Sequence, residues 1–85
     1  MNTAKAITNL AAEVAKEINE NKSPEGYTIV CTYLDLHHMV GQRVGQDVDL
    51  VDAVFDFFEA MELEHNMFLE VSQYDDIVLD EREEV

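Results

Sequence analysis

Residues 50–63 read LVDAVFDFFEAMEL, and their apolar side chains recur with the period of a helix. Spacings of three and four residues place such side chains on one side of a helix. Asp47 or Asp49 precedes the first apolar residue and is expected to cap this helix, because an aspartate oxygen accepts hydrogen bonds from amides of the first turn. The core stripe is expected to consist of Val51, Val54, Phe55 and Phe58, widened by Leu50, Phe57 and Met61.

Two further helices are predicted on the N-terminal side of this stretch. One covers residues 3 to about 21 and is ended by the sequence NKSPEG at 21–26, since proline and glycine interrupt helices. The other covers residues 34–44, where Gly41 weakens the helix and Gly45 ends it. The first of these helices has an apolar stripe made of Ile7, Leu10, Ala11, Val14 and Ile18.

Three short segments are predicted to be strands. Residues 27–32, YTIVCT, are rich in β-branched side chains and are interpreted as a buried strand. The alternative is a helix through the same residues, capped by Ser23 with Pro24 in its first turn. Residues 68–71 and 77–79 are interpreted as two strands of a hairpin, joined by a polar loop.

The predicted fold class is α+β, with three helices, a short strand and a C-terminal β-hairpin. A chain of 85 residues and 9.7 kDa fits one domain, residues 1–85, in which residues 80–85 are expected to form a frayed acidic tail. The order of the elements resembles the winged-helix fold, whose core would cover residues 34–79. This resemblance rests on element order, and winged helices bind DNA in some proteins and other proteins elsewhere.

Negative charge is concentrated in the second half of the chain. The whole chain has a net charge of −14, and residues 44–85 alone hold fourteen acidic residues against Arg82, a net of −13. Such a surface repels phosphates and anionic membranes, so direct binding to nucleic acid or to a membrane is not expected. A DNA-recognition helix would also need Arg, Lys, Asn or Gln, and residues 50–63 contain none of these.

The acidic residues of the third helix are spaced three, four and three residues apart. They therefore share one face within about 80° of arc. A solvated helix face is one interpretation, and a partner-binding surface is the other. The candidate partner-binding residues are Asp49, Asp52, Asp56 and Glu59 on the helix, with Glu70, Asp75, Asp76 and Asp80 in and around the hairpin.

This charge layout resembles that of small DNA-mimic proteins, among them phage anti-CRISPR and anti-restriction proteins. The resemblance is one of composition and charge placement. It implies an inhibitor that occupies the basic nucleic-acid-binding surface of a host defence or DNA-processing protein. It also implies a basic protein partner and, for a phage-encoded protein, action in the host cytoplasm.

A rival hypothesis is an adaptor or complex subunit that docks through apolar contacts. Leu50 and Phe57 lie at the edge of the apolar arc of the third helix, and Phe68 is expected to point away from the core. One interpretation is that the first helix and the loops cover these side chains; the other is that they form a docking patch for a partner or for a second copy of the chain, giving a homodimer. The acidic residues would then serve mainly solubility.

Catalytic and metal-binding motifs are not evident. His37 and His38 are adjacent, so on a helix they diverge by about 100° and are not expected to bind one metal. The single cysteine, Cys31, lies in an apolar run and is expected to be a buried reduced thiol of a cytoplasmic protein. No secretory signal or apolar segment of about 20 residues is found. We expect neither enzymatic activity nor a cofactor.

Overall fold

The computed structural model describes residues 3–21, 27–45 and 47–80. The elements follow the order predicted from the sequence, and the fold class is α+β as expected. Residues 27–32 form a strand, so the helical alternative for this segment is wrong. Most of the predicted breaker at 21–26 and most of the predicted acidic tail at 80–85 lie outside the described residues. In chain order the elements are α1 (Thr3–Glu20), β1 (Tyr27–Thr32), α2 (Tyr33–Val44), α3 (Leu50–His65), β2 (Leu69–Val71) and β3 (Asp76–Asp80).

The three strands form one antiparallel sheet in the order β1-β3-β2. Ile77 and Leu79 of β3 are almost fully buried and belong to the core cluster, because alternate side chains of a strand point to the same face. Val78 points to the opposite face, where it pairs with Ile29 on one side and Glu70 on the other. One face of the sheet therefore covers the helices, while on the other face Ile29 and Glu70 are exposed and Val78 is only 4% exposed.

The helices supply most of the core. The predicted stripe of α1 is confirmed, and Ala15 adds to it. Leu36, Val40 and Val44 form the buried side of α2, and α1 packs against both α2 and α3. Burial of these apolar side chains is the main stabilising term, at roughly 25 cal/mol for each Å² removed from water.

The predicted core stripe of α3 is partly wrong. Val51 and Phe55 were expected inside, but their side chains are 50% and 64% exposed, and Phe58 is half-buried. The sequence of α3 offers two overlapping apolar rows, and the packed row is rotated toward Phe57. Its fully buried members are Ala53, Val54, Phe57 and Met61.

Polar caps define where α2 and α3 begin and end. The Thr32 hydroxyl accepts a hydrogen bond from the Asp35 amide at the start of α2. Gly45 follows the last turn with φ 85 and ψ −178, a backbone region open almost only to glycine, as its predicted helix-ending role requires. Of the two candidate caps for α3, the structure selects Asp49, and Asn66 ends that helix in the left-handed conformation.

Candidate protein-binding surface

A row of three exposed acidic side chains, Asp52, Asp56 and Glu59, runs along the outward face of α3, and Glu62 and Glu64 are also exposed on this helix. At about 100° per residue the three members of the row span an arc of about 60°, and neighbours are separated by about 4.5–6 Å along the helix axis. The chain from residue 44 to 81 contains no Lys or Arg. Three carboxylates are thus held on one rigid helix, with no cation in that part of the sequence to neutralise them.

Asp49 differs from the other acidic residues because its side chain caps the N-terminus of α3. Its Oδ1 atom accepts hydrogen bonds from the amides of Val51, at 3.0 Å, and Asp52, at 3.5 Å. These bonds satisfy amide groups that have no partner within the helix. Asp49 remains exposed, so it contributes charge to the surface as well as stabilising α3.

The hairpin acids lie on other elements. Asp75 is exposed in the turn before β3, with φ 60, and its carbonyl oxygen accepts a hydrogen bond of 2.7 Å from the amide of Tyr33. Asp76 is half-buried at the start of β3, where its amide donates to the Ser72 hydroxyl. This turn is therefore fastened to the start of α2, and it does not continue the acidic row of α3 along the same element.

The remaining two predicted site residues belong to the sheet. Glu70 is exposed on β2, on the outer face beside Val78. Asp80 is the last residue of β3 and pairs with Tyr27, while its side chain lies outside the described residues. The eight predicted residues thus fall into a helix group and a hairpin group.

Exposed apolar side chains share the outward face of α3 with the carboxylates. Val51 and Phe55 are four residues apart and therefore neighbours on the helix surface, and Leu63, 73% exposed, lies two turns further on. Sequence reasoning placed Val51 and Phe55 in the core and so missed this part of the surface. The signal that identifies it is the position of the acids, since the side of the helix opposite Asp52, Asp56 and Glu59 is the buried one.

The docking patch proposed for an adaptor needs correction. Phe57 is 0% exposed and packs inside the core, while Leu50 is half-buried against it. Phe68 is 52% exposed, as expected. Phe57 cannot contact a partner because helix packing has placed it inward, and Phe55 takes its place as the exposed aromatic side chain of α3.

A groove of about 850 Å³ runs along α2, between the start of α3 and the hairpin turn. Within it the rings of Tyr33 and His37 meet edge to face, with centroids 4.4 Å apart. The Nε2 atom of His37 is buried and has no hydrogen-bond partner in the described part of the chain. Most of the groove wall is apolar. Its lining residues are Tyr33, Leu34, His37, His38, Gly41, Gln42, Leu50 and Asp75.

Cys31 is a free, half-buried thiol on β1. Burial, together with the nearby negative charges of Asp35, Asp76 and Glu17, raises its pKa from 9.0 to about 11, and burial is the largest of these causes. The thiolate is the reactive form of cysteine. This environment therefore keeps Cys31 protonated and unreactive near neutral pH.

The described residues contain no group of three or more His, Cys, Asp or Glu side chains placed to hold a metal ion. None of the helices in that same part of the chain combines the length and the apolar character needed to cross a bilayer. Comparison of the chain with protein-family models, with curated proteins and with solved structures found no match.

Proposed function

We propose that this protein is an acidic protein-binding module that occupies the basic nucleic-acid-binding surface of another protein. The observation that carries this proposal is the exposed carboxylate row Asp52, Asp56 and Glu59 on the outward face of α3, in a chain segment without Lys or Arg. Regularly spaced anions on a rigid support offer a basic cleft the same charge that phosphates offer. Complementary charge accelerates such an encounter and makes it dependent on salt.

In this proposal the protein is an inhibitor without enzymatic activity of its own, as anti-CRISPR and anti-restriction DNA mimics are. Asp49 adds a fourth charge at the helix terminus, and Glu70, Asp75, Asp76 and Asp80 extend the negative potential around the hairpin. The site of action would be the cytoplasm, that of the host for a phage-encoded protein.

The test is neutralisation of the α3 row without a change of shape. The variant combines Asp52→Asn, Asp56→Asn and Glu59→Gln, and it keeps Asp49 because that residue caps the helix. A matched control removes three charges from α1 and α2, with Glu17→Gln, Glu20→Gln and Asp35→Asn, all exposed in the native protein. Circular dichroism verifies that both variants fold.

The measurement is competition with nucleic acid. The immobilised protein first captures its partner from a nuclease-treated lysate, and the purified partner is then titrated with its own nucleic acid in the presence of each variant. The α3 variant should compete at least about 100-fold less well than the native protein, because several interfacial charge pairs are lost. Equal competition by the α3 variant and the control would refute the proposal.

A second candidate function, an apolar adaptor, is favoured by the exposure of Phe55 and Phe68. Truncation of a central aromatic anchor costs more binding free energy than most interface changes. For an adaptor, Phe55→Ala and Phe68→Ala would weaken partner binding, while added salt would have little effect. For a nucleic-acid mimic, binding would weaken steeply as salt is added.

A further inference from the structure

We propose that the groove along α2 receives an arginine side chain of the basic partner. The inference rests on the proposed function for the basic character of that partner, and it names the side chain that the groove selects. The groove is separate from the acidic row of α3: it is lined by one side of α2, by Leu50 and by Asp75.

The shape and lining of the groove suit a long side chain with an apolar stem. The volume of the groove, about 850 Å³, is several times that of one side chain, so the groove has room for an arginine together with neighbouring residues of the partner, and its lining is mostly apolar with few polar groups. Leu34, Gly41 and Leu50 provide apolar surface along it. The aliphatic stem of an arginine can pack along such surface while its head reaches a polar group.

Charge complementarity selects a cation as the head group. Among the lining residues, all of them in the described part of the chain, Asp75 carries the one formal charge, counting histidine as neutral. The main-chain bond from the Tyr33 amide to the Asp75 carbonyl fixes this turn at the mouth of the groove. A second copy of the chain is a poor occupant, because two molecules of net charge −14 repel each other.

Aromatic and unpaired groups favour guanidinium over ammonium. The rings of Tyr33 and His37 line the groove, and a guanidinium plane stacks on aromatic rings more readily than an ammonium group does. Within the described residues, the buried His37 Nε2 atom beside these rings has no hydrogen-bond partner. Arginine also brings five N–H donors against the three of lysine, in a planar fork that can pair with a carboxylate such as that of Asp75 through two hydrogen bonds.

The experiment uses short synthetic peptides and the full chain labelled with ¹⁵N. Three peptides differ at one central position, which is arginine, lysine or citrulline, and citrulline has the shape of arginine without its charge. Amide shifts at Leu34, His37 and Gly41 report binding in the groove, while those at Phe55 and Glu59 report binding on α3. We expect groove shifts with the arginine peptide, at least tenfold weaker binding of the citrulline peptide, and intermediate binding of the lysine peptide.

Two matched substitutions separate the groove from general charge attraction. Leu34→Lys places a cation in the groove, and Leu63→Lys makes the same change on α3; both native side chains are exposed, so the fold is expected to hold. Leu34→Lys should weaken the arginine peptide at least tenfold, whereas Leu63→Lys should change its affinity less than twofold. Asp75→Asn, which suits the positive φ of this turn, should reduce the preference for arginine over citrulline.

Three results would overturn the inference: equal affinity for the arginine and citrulline peptides, equal effects of the two lysine variants, or shifts confined to α3. The neutralised α3 variant should still bind the arginine peptide in the groove. Competition with nucleic acid therefore tests the proposed function alone, and binding of the arginine peptide tests the groove alone.

Discussion

At the scale of single residues, the burial of Cys31 should lower the rate at which its thiol is alkylated. Its pKa of about 11, against an ordinary value of 9.0, lowers the thiolate fraction near pH 8 by about 100-fold. Alkylation by iodoacetamide, followed by mass spectrometry, should therefore be slower by about that factor in the folded protein than in the denatured chain. Equal rates in the two states would show that β1 leaves the thiol in an ordinary environment.

The same pKa predicts a loss of stability in alkali. The folded protein favours the neutral thiol, so this contribution to the free energy of unfolding is fully present below about pH 9 and is lost as the pH rises through about 11. The melting temperature of the native protein should fall more between these pH values than that of Cys31→Ala, which lacks the group. Parallel curves for the two proteins would contradict the prediction.

Two glycines four residues apart should respond to alanine in opposite ways. At Gly41 a Cβ atom would meet Leu50 Cδ1 at 3.7 Å, an ordinary contact, so Gly41→Ala should stabilise α2 by about 0.5–1 kcal/mol. At Gly45 the space is open but the φ of 85 strains any side chain, so Gly45→Ala should cost about 1–3 kcal/mol. Urea denaturation of both variants measures the change in the free energy of unfolding. If the two changes have the same sign, the assignment of Gly45 as the residue that ends α2 is contradicted.

At the scale of elements, Asp49 should matter to α3 through its oxygen atoms more than through its charge. Asp49→Ala removes the acceptor for the Val51 and Asp52 amides and should cost about 1 kcal/mol of stability. Asp49→Asn keeps an acceptor and should cost much less. Thermal melts of the two variants test this, and an equal loss in both would assign the effect to charge near the helix dipole.

The period of the apolar residues alone did not determine which face of α3 is buried. Boundaries and caps followed from local chemistry, as the position of Asp49 and the stop at Gly45 illustrate. Two apolar rows, one through Phe55 and one through Phe57, fit the helical period equally well. Packing against α1 buries the row with Phe57, which lies opposite the carboxylates. The positions of the acidic residues therefore indicate which apolar row is buried, and the apolar residues alone do not.

The surface features on which the partner-binding hypothesis rests were also only partly predictable from the sequence. Regular spacing correctly predicted that Asp52, Asp56 and Glu59 share an exposed face. The groove depends on contacts between residues far apart in the chain, such as Tyr33 and Asp75, and such contacts leave no local pattern. The sequence allowed Phe57 both in the widened core stripe and in a docking patch, and packing against the neighbouring helix buries it in the core.

At the scale of the whole molecule, the excess of negative charge should make salt stabilising. Residues 44–85 carry a net charge of −13, and the repulsion among them is screened over about 8 Å at physiological ionic strength and about 3 Å at 1 M salt. The melting temperature should rise with sodium chloride, and the neutralised α3 variant should show a smaller rise. A fall in melting temperature would mean that attractive pairs such as Arg43–Glu13 dominate.

The same charge predicts that duplex DNA is not a ligand, despite the winged-helix order of the elements. A mobility-shift experiment in about 150 mM salt should show no complex, because α3 carries Asp52, Asp56 and Glu59 where base-reading side chains would be needed. Binding at sub-micromolar concentration would contradict both this prediction and the proposed function.

The central place of β3 in the sheet has a consequence for synthesis on the ribosome. Both β1 and β2 pair with β3, which is the last of the three strands in chain order. Once residues up to 71 have left the exit tunnel, a nascent chain can bring its three helices together, but it has no strand with which to close the sheet. The apolar strand β1 must therefore wait unpaired until residues 76–80 have left the exit tunnel, so the sheet closes in a late step that follows the assembly of the helices.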